Sequence, residues 1–497
     1  MMSHALRNRI PISEPNQQHA TIIGKRRPEP GYRGNGIPGL RSALLLAVAV
    51  SVLTPPAPVT CQDSHYWTYQ YGTRANLLGG LVIGSVVDIS AVYYNPGALA
   101  LIPEPELLLT SKVFELTDYT ADGQENQPIK LDDLRIDQAP GFFGGTMPFK
   151  FLGNHVLAYS VFTRHRQKLK MDAANVWSAD IADSAPGSED AFAQLALQRD
   201  LNETWVGLSW SAPFGNFGIG VSQFLAYRSQ KDTRLVAGDL YNATVPTASS
   251  SGAAAIYNYW NARLLWKLGL SWEWEGISWG LTATTASLSL LGQGRALVNI
   301  TSAGQGLEGA GGTDPVFVAA YEEGLAADYR SPWSFGLGAA YGFGKSRLHF
   351  SAEYFGKNEE FVIMDGGEFV GQSTGDTVSL SLTDQQKDVL NFGVGFRHQL
   401  SNRVTGYASF RTDFSSLDQG DLDASITAPL NLYFITAGTA FKIPIADITL
   451  GLGYGWGSST APVSIREPLA DDRIIGQLPE TVKMKYRSLR FIFAFSI

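Results

Sequence analysis

The sequence predicts an all-β protein: a 14-stranded antiparallel transmembrane β-barrel over residues 105–497, with an N-terminal plug inside its lumen. Three observations carry this. Apolar and small residues alternate with a period of two along most of the chain, the links between alternating segments are short and long by turns, and a secretory leader precedes them.

Composition narrows the class first. Of 497 residues, 44% are hydrophobic and only 17% are charged, alongside 52 Gly, 11 Trp and 20 Tyr, whereas soluble domains carry about 25% charged residues. No apolar run after residue 60 approaches the roughly 20 residues of a membrane helix. The net charge is −8 with no basic stripe, which argues against a nucleic-acid partner. Cys61 is the single cysteine, so the chain has neither a disulfide framework nor a cysteine metal cluster of its own.

Residues 1–61 read as a leader and signal peptide. A basic, Gly/Pro-rich stretch with Lys25, Arg26 and Arg27 precedes the apolar "RSALLLAVAVSVL" at 41–53, and small residues follow. The mature chain then begins near Gln62. Pro58 and Thr60 suit a lipoprotein site at Cys61 poorly.

Residues 62–104 form the plug, or hatch. The segment "QDSHYWTYQYGTRANLLGGLVIGSVVDISAVYYNPGALALIP" is too apolar and too turn-marked for a free tail, and a barrel interior is where it can pack. Within it Tyr93 and Tyr94 run into Asn95-Pro96-Gly97. Pro96 fixes φ, Gly97 admits positive φ, and the Asn95 side chain can bond the backbone two residues on.

The barrel follows. In "ITLGLGYGWG" (448–457), Ile448, Leu450, Leu452, Tyr454 and Trp456 share one face, with Thr449 and four glycines on the other; "LNFGVGFRHQL" and "WSFGLGAAYGF" repeat the pattern. Strands are expected near 106–117, 139–148, 155–171, 202–212, 216–229, 255–274, 277–290, 332–343, 346–356, 388–400, 403–415, 430–443, 446–458 and 483–497. Tight turns alternate with long polar links at 118–138, 172–201, 230–254, 291–331, 357–387, 416–429 and 459–482. Short periplasmic turns and long outer loops are the grammar of an outer-membrane barrel, and lipid demands a sheet without open edges. Two link stretches, "EDAFAQLALQRDL" (189–201) and "DPVFVAAYEEGLAADY" (314–329), read as short amphipathic helices.

No catalytic or metal constellation is expected. The histidines are scattered, and "GLGYGWG" and "AAYGFGKS" lack the strand–turn–helix setting of nucleotide-binding loops. Strand parity instead places Arg263, Lys267, Glu273, Arg164, Glu353, Arg397, Arg411, Asp413, Asp447 and Arg490 in the lumen. A polar lumen pairs such charges or uses them to hold a plug; an acidic ligand would also need a cation, and Arg263, Lys267, Arg411 and Arg490 are the head-group candidates.

"GSVVDISAVYYNPGALALI" resembles the hatch of FadL/TodX-type outer-membrane transporters for hydrophobic compounds, with Asp88 and Asn95-Pro96 matching and Gly97 where the family usually has Ala. The resemblance implies passive uptake of compounds such as long-chain fatty acids or hydrocarbons, without cofactor, by a monomer in the outer membrane of a Gram-negative-type bacterium. The hatch residues Asp88, Tyr93, Tyr94, Asn95, Pro96 and Gly97 would take part in gating. A barrel of the same shape that docks or secretes exported proteins is the alternative.

Overall fold

The computed structural model describes residues 59–60, 65–102, 108–109, 112–122, 130–138, 141–147, 153–180, 186–304, 315–417, 429–443, 446–462 and 481–496. The apolar leader segment, Cys61 and the link at 463–480 lie outside these residues. Val59–Thr60, the first described strand (β1), falls within the segment read as leader and pairs in parallel with Leu382 and Thr383.

The N-terminal segment 65–102 holds three short helical turns: α1 at Thr73–Leu77, α2 at Ala91–Tyr94 and a 3-10 helix at Pro96–Leu101. Strands make up nearly all the rest. In chain order they begin with β2 (Leu108–Leu109), β3 (Lys112–Asp122), β4 (Lys130–Gln138), β5 (Phe142–Met147), β6 (Val156–Ala179), β7 (Glu189–Phe214), β8 (Phe217–Asn242) and β9 (Thr247–Trp274). They continue with β10 (Ile277–Thr284), β11 (Leu288–Gly304), β12 (Val316–Ala326), β13 (Ser334–Phe343) and β14 (Ser346–Phe355). A folded loop carries β15 (Asn358–Met364), β16 (Glu368–Val370), β17 (Thr377–Ser379) and β18 (Leu382–Gln386). The last five are β19 (Val389–Gln399), β20 (Val404–Asp413), β21 (Leu432–Ile443), β22 (Ala446–Pro462) and β23 (Thr481–Ser496).

One large antiparallel sheet results. Its ladders run β5–β6–β7–β8–β9, then through β10 and β13 on one level and β11 and β12 on another. From β13 they continue β14–β19–β20–β21–β22–β23–β3–β4. At one end the short β2 pairs with β5, Leu108 to Gly144 and Leu109 to Phe143.

Alternation decides which face each residue takes. On β9, Leu268 and Trp272 are 54% and 47% exposed on the outer face, while Arg263 and Lys267 are buried on the inner one. The hairpin ends are tight where the backbone can turn left-handed, as at Gly215 (φ 63°) and Gly344 (φ 56°).

Two expectations need correction. Residues 118–138, 172–201, 230–254 and 291–331 are expected as links, yet β4 lies in the first, β6 to β9 run through the next two, and β11 and β12 cover most of the last. The four strands β6 to β9 reach 24 to 28 residues, far beyond the 9–11 that cross a bilayer. The stretches 189–201 and 314–329 are not helices: Ala191 pairs with Trp177 and Val298 with Ala320 across continuous ladders. Short apolar runs fit periods of 3.6 and 2 alike, and cross-strand pairing selects between them. The link at 357–387 is a folded loop, and its Phe361, Met364, Leu380 and Leu382 pack on Tyr257, Tyr259, Val298 and Ile300 of β9 and β11.

The inward-facing glycines explain where the N-terminal segment sits. A Cβ on Gly84 would stand 2.6 Å from the Gly338 carbonyl, and one on Gly97 would stand 2.6 Å and 2.7 Å from the carbonyl oxygens of Gly269 and Gly218. Side chains added at Gly220, Gly280 and Gly451 would strike Pro96, Ile83 and Leu77. Backbone therefore lies against backbone over a glycine floor, and Leu77, Val92, Tyr93 and Leu99 are buried there with Phe162, Trp205 and Phe224 of the wall.

Candidate functional site

The Asn95-Pro96-Gly97 turn takes the shape its residues dictate. Asn95 caps the 3-10 helix through its Oδ1, which accepts from the Gly97 amide at 3.1 Å, and Pro96 opens that helix. The Asn95 Nδ2 donates to the Ile83 carbonyl at 2.9 Å and to the Leu270 carbonyl of β9 at 2.8 Å, tying the turn to the wall. Gly97 differs from expectation. It does not adopt positive φ, and its lack of a side chain serves the close approach to Gly218 and Gly269.

Asp88 is buried and accepts hydrogen bonds from the Ser90 amide at 3.0 Å and from the Ser90 hydroxyl. Burial pushes its carboxyl above the usual carboxylate range, against the pull of the Ser90 donors and the Arg74 charge. The Tyr94 hydroxyl accepts from the Tyr71 amide at 2.9 Å. Tyr93 instead lies against Phe162 and Trp205.

Above this floor, residues 65–69 run across the inner face of the sheet as a strap that sequence reasoning did not single out. Asp413 accepts from the Tyr66 and Trp67 amides at 3.2 and 2.9 Å and from the Thr68 hydroxyl at 3.1 Å. Three arginines bind its carbonyls: Arg164 to Tyr66 at 2.7 Å, Arg411 to Trp67 at 2.6 Å and Arg490 to Thr68 at 3.0 Å. The Trp67 indole donates to Glu353 at 2.9 Å, and the Tyr66 ring stacks on Phe355 at 4.2 Å. The signal was the aromatic run Tyr66, Trp67, Tyr69 and Tyr71 directly after the leader.

The four head-group candidates all have protein partners. Arg263 pairs with Glu203 at 2.6 Å, and Lys267 lies 3.6 Å from Glu353. Arg490 pairs with Glu115 at 2.9 Å while also holding Thr68; Arg411, bound to the Trp67 carbonyl, stacks over Phe434. Glu203 also pairs with Arg228 at 3.2 Å and accepts from the Trp205 indole at 2.6 Å. Buried charges need such partners, since an isolated one is strongly disfavoured.

Between strap and wall lies a cavity of about 60 Å³, with Tyr66, Tyr93, Trp205, Leu265, Tyr329 and Phe355 on its surface and Arg164, Lys267, Glu203 and Glu353 at its edges. A second space of about 20 Å³ below it shares Tyr93, Lys267 and Glu353. Gln386 of the folded loop binds both the Tyr66 and Tyr329 hydroxyls, at 3.2 and 3.1 Å, so the loop is bonded to the strap. Among the described residues no group of His, Cys, Asp and Glu is placed to hold a metal.

No protein-family model matches the chain, and no curated protein does. Solved structures do. The toluene transporter TodX of P. putida aligns at 13% identity over 86% of this chain and 98% of its own, with a TM-score of 0.53. A Pseudomonas aeruginosa FadL homologue aligns at 13% identity over 88% and 99%, with a TM-score of 0.51. The toluene transporter TbuX of Ralstonia pickettii aligns at 12% identity over 86% and 97%, with a TM-score of 0.50. At these identities the likeness is one of architecture, and the chain has the fold of the FadL/TodX-type outer-membrane transporter family.

Proposed function

We propose that this protein is an outer-membrane barrel for passive uptake of small hydrophobic compounds, with residues 65–102 as its hatch and the strap as the part that must move. Taking β2 with β3, β4 with β5, β10 with β11 and β12 with β13 as single interrupted crossings supports a barrel of fourteen. The exposed apolar outer face suits lipid, and the neighbours of this fold include toluene transporters.

One observation carries the reading. An aromatic cavity lies between strap and wall, and the mid-lumen cations around it already bind protein groups. That favours an uncharged solute over a fatty acid. At about 60 Å³ the cavity is well below the roughly 150 Å³ that accepts benzene in an engineered core. Passage of an aromatic ring therefore requires Tyr66 and Trp67 to leave their places.

Reconstituted into liposomes, the protein should pass toluene. Asn95→Ala and Asp88→Ala should leave the heat-modifiable barrel band unchanged and alter toluene flux. Loss of the band would assign these residues to folding, and unchanged flux through a folded barrel would refute their gating role. If Ala at Arg263, Lys267, Arg411 or Arg490 weakened fatty-acid binding while the strap stayed in place, the solute would be acidic after all. The alternative, a docking or secretion partner, draws on the projecting β6 to β9 strands and predicts exported proteins bound to the purified barrel.

A further inference from the structure

On the other side of the hatch from the strap, two arginines face each other across a ladder. Arg347 of β14 and Arg397 of β19 are direct cross-strand partners, and both lie on the inner face, since Leu348 and Phe396 beside them are exposed outside. Like charges directly opposite destabilise a sheet unless something compensates. Four other inward arginines have carboxylate partners, Arg199 with Asp232, Arg228 and Arg263 with Glu203 and Arg490 with Glu115, while Arg164 and Arg411 hold strap carbonyls. Neither Arg347 nor Arg397 has a carboxylate within ion-pair distance among the described residues, and the acidic group that acts on Arg347 from further off is Glu273. Arg347 donates through Nη2 to the Ser278 hydroxyl, and its Nε is buried without a partner.

The pair opens on a cavity of about 490 Å³ that also includes Lys345, Glu273, Glu275 and Gln399. Three cations against two carboxylates leave one positive charge, which suits a monoanion. Guanidinium groups bind a carboxylate through paired, charge-assisted hydrogen bonds, and two of them on adjacent strands can share one. Next along the same face, His349 bonds the hatch residue Ser85, Nδ1 to Oγ at 2.7 Å, and Ile83 and Gly84 press on the floor beside it. The cavity lies further along β14 than His349, at the short-turn end of the sheet formed by Gly276 and Gly344.

We infer that Arg347 and Arg397 form a carboxylate site at the short-turn mouth of the lumen, which holds a monocarboxylate on the far side of the hatch from the aromatic cavity. The inference rests on the transport reading, where this mouth is periplasmic. It gives acidic hydrophobic compounds a holding point that the occupied mid-lumen cations do not provide.

Titration calorimetry of the full-length protein with benzoate and with benzyl alcohol, its uncharged counterpart, tests this. Benzoate affinity should fall at least tenfold in Arg347→Gln and in Arg397→Gln, recover in Arg397→Lys, and weaken with added salt, while benzyl alcohol binds all variants alike. Equal benzoate affinity in wild type and both Gln variants overturns the site. Should a Gln variant fail to give the folded band, the salt titration of the wild type decides: benzoate binding that is absent or indifferent to salt overturns it. Toluene flux through the same variants keeps the two readings apart. It should be unchanged in them, and its absence from the wild type would refute the transport reading without touching a measured carboxylate site.

Discussion

Where residues 83–97 meet the sheet, backbone lies against glycine backbone; where residues 65–68 meet it, ionised side chains bind amides and carbonyls. The floor contact depends on shape. Gly218, Gly220, Gly269, Gly280 and Gly338 leave room for Ile83, Gly84, Pro96 and Gly97 to sit on the wall itself. The collar contact depends on charge, with Asp413 and three arginines arranged around a stretch of chain only four residues long. The difference gives the proposed movement of the strap a physical basis beside a fixed floor. A close-packed backbone contact has no partial state, whereas polar bonds to a strap can be exchanged for water one at a time.

The largest effect should come from the floor. A side chain at Gly280 meets the Ile83 carbonyl at once, so Gly280→Leu should prevent seating rather than weaken it. Hydrogen exchange across residues 72–98 should rise to that of an unseated segment, while the wall strands keep their protection. If those residues stay protected, the glycine floor is not what seats them.

At the collar the effect should be smaller and confined. Asp413→Ala leaves two buried amides and the Thr68 hydroxyl without their acceptor, a loss of about 1–3 kcal/mol for each buried donor left unsatisfied. Protease cleavage and exchange should increase at residues 65–69 and not at 83–97. Equal loosening of both would mean that floor and collar act as one unit.

The smallest effect concerns pH. Because burial raises the Asp88 carboxyl above its ordinary value of 3.8, the seated segment holds that proton more tightly than the unseated one. Its contribution to seating is complete below the ordinary value and is lost as pH rises through the raised one. Protection of residues 72–95, taken relative to the intrinsic exchange rate at each pH, should therefore be greatest in acid and fall towards neutrality, and Asp88→Asn should flatten that dependence. A profile identical in wild type and variant would place the titration elsewhere.

Much of this was legible in the chain. Alternation in "ITLGLGYGWG" fixes the outer and inner faces of β22 because a strand has no other period, and Asn95-Pro96 fixes its turn because proline and a short amide side chain act locally. The same alternation continued through 172–201 and 230–254, but polarity there masked strands whose support comes from pairing with the strands next to them in the chain. Parity likewise placed Arg263, Lys267, Arg411 and Arg490 inside the lumen without saying what they bind. That was decided only by tertiary structure, which brings Glu203, Glu353, Glu115 and the carbonyls of residues 67 and 68 within reach of them. The inward glycines show the same division: the sequence by itself determined that one face of the wall would be bare, and the fold decided that this bare face is a seat, because only folding lays Gly97 on Gly269.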